Sequence, residues 1–248
     1  MWKGFSFLDA NKGKDFSTGS SSMLNYLDDK VFNEYASLFF LRRKMMDEGS
    51  AGDTLTLCQR RRFVLNRPMG RQSTNQEWAL VLSLSEVAGL DLGNQLLPLP
   101  GRSYLIGSGV TLPKGLLMQY AEAHFLRDIL RFTSVLVDAE ILTDRDALAF
   151  LFQKYLIPAP SCGSFRLECF LPILATLELA ASAFWSDGYK AYQDNYQSRV
   201  CGFLLERLNS FLLLRYLIDH GENIKHSTGS TTIVSDSLHI PVGSVPKS

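Results

Sequence analysis

The sequence has 248 residues, 46% of them hydrophobic, so the chain is long and apolar enough to bury the core of one globular domain. Lysine plus arginine (25) balance aspartate plus glutamate (25), which excludes a global electrostatic field for nucleic acid or for an anionic membrane. Any anionic ligand must therefore be bound by a local cluster of cations.

The N-terminus and the cysteines indicate a cytoplasmic protein. Residues 1–16 lack the apolar run of a signal peptide, and no stretch approaches about 18 uninterrupted apolar residues, so we expect no transmembrane segment. The cysteines form neither a CxxC pair nor a metal-finger spacing, and we interpret them as reduced packing residues: Cys58, Cys162, Cys169 and Cys201.

The N-terminal part of the chain predicts a loop, a helix and a strand. Glycine, serine and lysine are frequent near the start, so we expect a flexible segment over residues 1–24, before one domain over residues 25–220. Apolar residues and clustered basic residues predict a helix over residues 31–47. Residues 54–65 alternate at both ends, which predicts a strand that passes through Cys58 into an arginine-rich turn.

The second half of the chain is predominantly helical. Residues 77–87 are open between helix and strand, and residues 103–106, SYLI, predict a short strand. Apolar periodicity predicts helices over residues 116–137, 144–156, 166–184 and 189–220, with Pro172 expected to kink or shorten the third. The Ser/Thr/Gly-rich tail, 221–248, is expected to be poorly ordered or a peripheral arm. Together these elements predict an α/β fold in which many helices flank a small sheet.

A polar stripe marks the last predicted helix. On a 3.6-residue period Arg199, Gly202, Glu206 and Ser210 fall near one face, while the other faces are mostly apolar. An unpaired buried charge is costly, so these charges must be paired, hydrogen-bonded or turned into a polar cavity. A structural ion pair or a solvated edge is the alternative to a functional site.

An arginine-rich turn follows the first predicted strand. The sequence Gln59-Arg60-Arg61-Arg62 places guanidinium groups where a strand gives way to a loop. Ligands of open α/β sheets bind at such strand ends, and arginine pairs with phosphate oxygens in a bidentate way. The turn is therefore either a diphosphate site or a solvated basic turn.

The helix predicted over residues 116–137 carries a histidine near a carboxylate. Tyr120, His124, Arg127 and Arg131 follow one stripe, and Asp128 lies four residues after His124. Such a histidine can be a positioned base or a contact for a sugar hydroxyl, or it can be purely structural.

Asp144-Arg145-Asp146 matches the Asp-x-Asp pattern with which nucleotide-sugar enzymes hold a divalent cation. The same residues follow Thr143 at the start of a predicted helix, where threonine caps and acidic residues complement the helix dipole. We favour the capping role. Motifs for dinucleotide binding, for a P-loop, for a serine hydrolase and for a zincin do not occur in the sequence.

Several segments, over roughly residues 30–217, resemble one family, the bacterial capsule and lipopolysaccharide glycosyltransferases grouped as domain of unknown function 4422. Its Asn-x-x-Tyr-x-Glu-like helix start is similar to residues 32–38, FNEYASL, and its strand Gly-Leu-x-His-Tyr-Arg-Arg-Tyr-Phe to residues 57–64, LCQRRRFV. Its Gln-Tyr-x-x-x-His segment is present at residues 119–124. Its C-terminal Gln-x-Arg-x-x-Gly-Phe-x-x-Glu-Arg-Leu is intact over residues 197–208.

The chain also departs from that family. Gln59 and Arg60 replace the family's His-Tyr pair, and the family's opening strand has no clear counterpart in residues 1–16. These departures are compatible with a truncated, a divergent or an inactive member of the family.

The resemblance implies a GT-A-like nucleotide-sugar-binding architecture and transfer of a sugar from a nucleotide-diphosphate donor to a glycan in surface polysaccharide biosynthesis. The catalytic candidates it implies are the carboxylates Glu206 and Asp128. The candidates for donor binding are the cations and polar side chains Arg61, Arg62, Arg199, Gln119 and His124. No metal ligand is assigned, and a requirement for a divalent metal stays open.

The implied partners are the nucleotide-sugar donor and a glycan or lipid-linked acceptor, without nucleic acid. A lipid-linked acceptor would bring this cytoplasmic protein to the periphery of the inner membrane. Two alternatives remain: an inactive helical interaction protein that keeps the fold, and a nucleotide-binding regulator that uses the arginine turn without sugar transfer. In the enzyme the site residues should converge on one pocket, and in the interaction protein they should be dispersed or paired on the surface.

Overall fold

The computed structural model describes residues 34–48, 54–59, 61–188 and 199–240. The predictions for residues 1–24, for Arg60 and for residues 189–198 lie outside this part of the chain. The helices are α1 (Glu34–Glu48), α2 (Leu84–Ala88), α3 (Leu92–Gln95), α4 (Leu116–Ala123), α5 (Leu126–Asp138), α6 (Asp144–Phe152), α7 (Leu167–Ser186), α8 (Val200–Asp219) and α9 (Ile224–Ser227). The strands are β1 (Thr54–Leu57), β2 (Arg62–Leu65), β3 (Arg71–Gln72), β4 (Ala79–Leu82), β5 (Leu105–Ile106), β6 (Val110–Thr111), β7 (Tyr155–Leu156), β8 (Gly163–Arg166) and β9 (Ser230–Val234). The predicted mixed α/β class is confirmed.

The main hydrophobic core lies around α7 and α8, which pack against each other with α1 and α5 beside them. The ring of Phe132 on α5 meets Phe184 on α7 edge-on, with centroids 5.3 Å apart. On the α1 side, the half-buried guanidinium groups of Arg42 and Arg43 both bind the buried carboxylate of Glu178 on α7. Aromatic packing and paired charges therefore fix α1 and α5 against α7, the helix on which α8 packs.

Among the described residues, α7 is long and apolar enough by composition to cross a membrane. However, 56% of its most apolar window is buried inside the fold, so its place in the core accounts for this composition. Pro172 lies within its first two turns, and α7 continues past it to Ser186.

Three small sheets accompany the helices. The first has the strand order β1-β8-β5, the second β2-β9-β4-β3, and the third pairs β6 with β7. At Gly163, where φ is +142°, a Cβ atom would lie 2.1 Å from the carbonyl oxygen of Leu105, so only glycine allows β8 to approach β5 this closely.

The strand predicted over residues 54–65 is two strands that belong to different sheets. Gln59 and Arg62 exchange backbone hydrogen bonds of 2.9 and 3.1 Å across a tight turn. β1 then pairs with β8, whereas β2 pairs with β9. The two ends are extended as predicted, but their pairing partners, which lie far away in sequence, break the continuous strand.

The tail expected to be poorly ordered instead contributes the middle strand of the largest sheet. β9 pairs antiparallel with β2 on one side and parallel with β4 on the other. Thr231 and Thr232 are almost completely buried within it. The expectation of a poorly ordered tail from residue 221 is thus wrong for α9 and β9, while residues 241–248 lie outside the described part.

The helix predicted over residues 116–137 is two helices. α4 ends at Ala123, His124 is extended (φ −141°, ψ 174°), and α5 begins at Leu126. His124 and Asp128 therefore do not share one helical stripe as predicted. Asp128 instead lies in the first turn of α5, where a carboxylate complements the positive end of the helix.

The other elements agree more closely with the prediction. The helices predicted over residues 144–156 and 166–184 are α6 and α7 with shifted ends, and α8 begins eleven residues into the last predicted helix, of which residues 189–198 are outside the description. The segment over residues 77–87, for which the sequence allows helix or strand, contains both β4 and α2. Ser83 is the N-cap of α2 and forms a capping box with Glu86.

Candidate functional site

The polar stripe of α8 faces the segment formed by residues 157–162. One carboxylate oxygen of Glu206, Oε1, accepts a hydrogen bond of 2.9 Å from the backbone N–H of Ala159. One turn further, the hydroxyl of Ser210 accepts a bond of 2.8 Å from the backbone N–H of Ile157. Both N–H groups belong to buried residues, so α8 satisfies backbone donors that would otherwise be left unpaired.

A second carboxylate, Glu34, belongs to the same site. It is the first residue of α1, and its Oε1 accepts a hydrogen bond of 2.7 Å from the side-chain amide of Gln59. Burial raises the pKa of Glu34, and the negative charge of Glu206 raises it further. A hydrogen bond from its own backbone, and then the charges of Arg62 and Arg199, act on this pKa in the opposite direction. The five residues Glu34, Gln59, Arg62, Arg199 and Glu206 are called the carboxylate site below.

Two arginines give the carboxylate site its positive charge. Arg62 begins β2, and the carbon of its guanidinium lies 5.3 Å from the ring centroid of Trp78. Arg199 immediately precedes α8, with its guanidinium carbon 5.5 Å from the ring centroid of Phe203. Glu34 joins α1 to the β1–β2 turn through its contact with Gln59, and the charges of Arg62 and Arg199 both act on its carboxylate.

Arg61 lies on the same turn but is exposed. Its carbonyl oxygen accepts a hydrogen bond of 2.7 Å from the backbone N–H of Val234, the last residue of β9. The backbone of Arg61 therefore anchors the turn to β9, and the predicted contact of its side chain with a donor stays a prediction.

Beside the carboxylate site lies an aromatic cluster, formed by Tyr120, His124 and Phe203. The buried ring of His124 has its centroid 4.4 Å from that of Phe203 and 4.6 Å from that of Tyr120. Since Arg199 also lies over Phe203, this ring connects the predicted donor residue His124 with the carboxylate site. The imidazole is tilted by 38° against the ring of Tyr120 and by 31° against that of Phe203, and this packing holds it in one orientation.

Gln119 holds a buried arginine. Its Oε1 accepts hydrogen bonds of 3.3 and 3.2 Å from the guanidinium of Arg207, which also donates a 2.9 Å bond to the carbonyl of Phe203. The same guanidinium lies 4.9 Å from the ring centroid of Tyr120. The carbonyl oxygen of Gln119 thus has a structural partner, and the contact of Gln119 with a donor stays a prediction.

We expect Arg207→Met to lower the free energy of unfolding by about 2–3 kcal/mol, because hydrogen bonds from a charged group and its contact with an aromatic face are lost together. Chemical denaturation measures this loss. Arg215→Met on the same helix is the control, since Arg215 is about half-exposed and pairs with Asp146 and Asp219 at the surface. Equal losses in the two variants would contradict the structural role of Arg207.

Asp128, the second predicted catalytic carboxylate, is buried at the start of α5. One of its oxygens, Oδ1, lies 3.8 Å from Nε of Arg127. The catalytic role of Asp128 stays a prediction.

The capping interpretation of Asp144-Arg145-Asp146 is confirmed. The hydroxyl of Thr143 accepts a hydrogen bond from the backbone N–H of Asp146, and the carboxylate of Asp146 pairs with Arg215 at 2.5 Å. In the described ranges, no three His, Cys, Asp or Glu side chains group as metal ligands.

Glu34 is the site residue that sequence reasoning missed. It stands inside the segment FNEYASL, which resembles the family only as a helix start. The available signal was an acidic residue at the beginning of an otherwise apolar helix, which by itself indicates only a favourable helix dipole.

The raised pKa of Glu34 makes stability depend on pH. Below the ordinary pKa of glutamic acid the side chain is protonated in both the folded and the unfolded state. As pH rises, the unfolded state ionises first, so folding stability falls until the pH passes the raised pKa of the folded state. Glu34→Gln cannot ionise, and we expect its unfolding temperature, relative to wild type, to increase from about pH 4.5 upward. A constant difference across thermal scans from pH 4 to pH 9 would contradict the burial of an ionisable Glu34.

The fold is shared with a solved glycosyltransferase. No protein-family model matches the chain, and no curated protein matches it. A chain of the apo structure of WbbM, a bifunctional glycosyltransferase, superposes with a TM-score of 0.66 at 13% sequence identity. The match covers 90% of the present chain and 39% of that chain, so the present chain spans about two-fifths of the WbbM length. At this identity the likeness shows a common fold.

Proposed function

We propose that this chain is a glycosyltransferase domain with a GT-A-like architecture, which moves a sugar from a nucleotide-diphosphate donor to a glycan in surface polysaccharide biosynthesis. The observation that carries the proposal is the contact of Glu34 with Gln59 at the β1–β2 turn, where the charges of Glu206, Arg62 and Arg199 act on the Glu34 carboxylate. A fold shared with a glycosyltransferase supports it.

The charges of the carboxylate site suit the chemistry of sugar transfer. The bond between the anomeric carbon and the diphosphate breaks in this reaction, so negative charge grows on the leaving group and positive charge on the sugar ring. Arg62 and Arg199 are the proposed partners of the diphosphate, because guanidinium groups bind phosphate oxygens strongly. Glu206, held by the N–H of Ala159, is the proposed stabiliser of the positive sugar.

The proposed acceptor is a glycan chain or a lipid-linked glycan. The proposal includes His124 and Gln119 as sugar contacts at the adjoining aromatic cluster, and Arg61 as a further contact for phosphate at the turn. A lipid-linked acceptor would place the protein at the cytoplasmic side of the inner membrane.

A thermal-shift screen tests this function. Purified protein is heated with UDP, GDP, dTDP and their sugar conjugates, with and without Mn²⁺. A nucleotide present at about 100 times its Kd stabilises the folded state by about 2.7 kcal/mol, so at least one should raise the unfolding temperature by several degrees. The arm with Mn²⁺ decides the open question of the metal.

Two variants make the screen specific to the site. Arg199→Ala should abolish most of the shift, whereas Arg215→Ala, on the same helix but near its other end, should keep it. No shift with any nucleotide would contradict donor binding and favour the inactive interaction protein. A shift that Arg199→Ala leaves unchanged would place the nucleotide elsewhere.

A further inference from the structure

A cavity of about 690 Å³ lies between α6, the C-terminal half of α8 and the first residue of β7. Ala149, Tyr155 and Leu214 are among the residues that line it, one from each of these elements. None of the five residues of the carboxylate site lines it. Sites for small ligands enclose roughly 300–1,000 Å³, so this cavity has the size of a binding site, and the proposed function leaves it without a role.

The cavity continues the contact between α8 and the segment that begins at residue 157. The two run in opposite directions: Glu206 binds the N–H of Ala159, and the hydroxyl one turn further along α8 binds an N–H two residues earlier. The next side chains in this direction, Phe211 on α8 and Tyr155 on β7, line the cavity. At 1.5 Å per residue, Phe211 lies about 7.5 Å beyond Glu206 along the axis of α8. The cavity and the carboxylate site are therefore neighbours along this helix.

Two aromatic side chains in the wall are held by their own contacts. The hydroxyl of Tyr155 accepts a hydrogen bond of 3.1 Å from the backbone N–H of Gly109, and a Cβ atom at Gly109 would lie 2.1 Å from the Tyr155 ring. Only glycine therefore lets this ring pack on the backbone. Phe211 meets Phe150 edge-on, with ring centroids 5.6 Å apart. Rings fixed in this way offer a preformed apolar surface to a ligand.

The charged side chains of the cavity nearly neutralise one another. Arg215 pairs with Asp146 at 2.5 Å and lies 3.7 Å from Asp219. With Arg145 and Lys154, the lining carries three positive and two negative side chains. A polyanion needs an excess of cations, which this lining lacks, whereas donors and acceptors side by side suit a neutral ligand that carries hydroxyl groups.

We propose that this cavity binds the glycan acceptor, a neutral oligosaccharide, at a sugar unit away from the one that reacts at the carboxylate site. The role of this ligand as acceptor rests on the proposed function. Tyr155 contacts the apolar C–H face of the sugar ring, and Arg145, Asp146 and Asp219 exchange hydrogen bonds with its hydroxyl groups. An oligosaccharide thus satisfies both the apolar and the charged part of the wall.

A side chain that fills the cavity tests this site. Ala149 is exposed on α6 and lines the cavity, so Ala149→Trp places a large ring there without removing a core contact. Leu148, the preceding residue, is 58% exposed and does not line the cavity, so Leu148→Trp adds the same ring elsewhere on the helix and is the matched control. Both variants and the wild type, fluorescently labelled, are applied to an array of neutral and acidic oligosaccharides from bacterial surface polysaccharides.

We expect the wild type and Leu148→Trp to bind the same neutral oligosaccharides. For the strongest of them, isothermal titration calorimetry should show a loss of affinity of about tenfold or more in Ala149→Trp. Asp219→Ala removes an exposed acceptor from the α8 side of the cavity and should weaken the same oligosaccharide by about threefold or more. All variants should keep the unfolding temperature and the nucleotide-induced shift of the wild type, since the cavity lies outside the carboxylate site.

The outcomes separate this inference from the proposed function. If the wild type binds no oligosaccharide, binds acidic ones alone, or binds as well after Ala149→Trp, the inference is overturned, while the nucleotide screen decides the function by itself. If Ala149→Trp loses the nucleotide-induced shift, the cavity holds the donor and the inference is likewise overturned. A wild type that binds an oligosaccharide through the cavity but no nucleotide would confirm a glycan site and overturn sugar transfer, and with it the role of this ligand as acceptor.

Discussion

A chain that ends at Thr228 is expected to lose the four-stranded sheet, and the carboxylate site with it. This truncation removes β9, which pairs with β2 on one side and with β4 on the other. The edges of β2 and β4 that face β9 are then left unpaired. It also removes the N–H of Val234, which binds the carbonyl of Arg61 and holds the arginine turn. Arg62, at the start of β2, would no longer be fixed beside Glu34.

The expected fall in unfolding temperature is roughly 10 °C or more. Several kcal/mol of burial and strand pairing are lost, and each kcal/mol corresponds to about 2–4 °C at this chain length. Differential scanning calorimetry measures the fall, and nucleotide binding by the truncated chain should be lost. A chain that ends at Ile240 is the matched control: it keeps β9 and the contact of Asn75 with Ile240, and should behave as the full chain does. Equal behaviour of both truncations would show that β9 does not support the site.

The second large effect is expected for Glu206→Ala, compared with Ser210→Ala. Each substitution removes the acceptor for one buried backbone N–H in the segment 157–162, that of Ala159 or that of Ile157. Each should therefore lower the free energy of unfolding by about 1–3 kcal/mol. Only Glu206→Ala also removes negative charge from the site, and its kcat for sugar transfer should fall by about 100-fold or more.

Urea denaturation and a donor-turnover assay on the same two preparations measure this contrast. Ser210→Ala serves as the structural control, since it disturbs the same segment without changing the charge. Loss of transfer in both variants would mean that the segment 157–162, and not the carboxylate, supports activity. Full activity of Glu206→Ala would remove Glu206 from the proposed mechanism.

The two carboxylates of the site illustrate what local sequence can and cannot reveal. Glu206 was predictable because it interrupts an apolar helix at the spacing of Arg199 and Ser210, and a charge in such a place needs a partner. The role of Glu34 was not predictable, because acidic residues are common at the start of helices, where they complement the helix dipole. Only the position of α1 against the β1–β2 turn brings Glu34 to Gln59 and to the influence of Glu206.

The break between α4 and α5 is a second feature without a clear sequence signal. No glycine or proline interrupts the apolar period around His124, so the sequence favoured one helix. In the fold, the ring of His124 packs between Tyr120 and Phe203, and this tertiary contact accompanies the extended backbone at His124. Tertiary packing of this kind overrides the weak helical preference of a single residue.

By itself, the sequence determined the mixed α/β class, the long core helices α7 and α8, the Thr143 cap and the inward polar stripe, because each depends on residues within a few turns of one another. Tertiary structure alone decided that the Ser/Thr-rich segment Ser230–Val234 is a central strand, that Glu34 of α1 meets Gln59 of the β1–β2 turn, and that the charge of Glu206 acts on Glu34. These features join segments far apart in the chain. The free energy that fixes them comes from pairing and burial between segments, which leave no local pattern of residues.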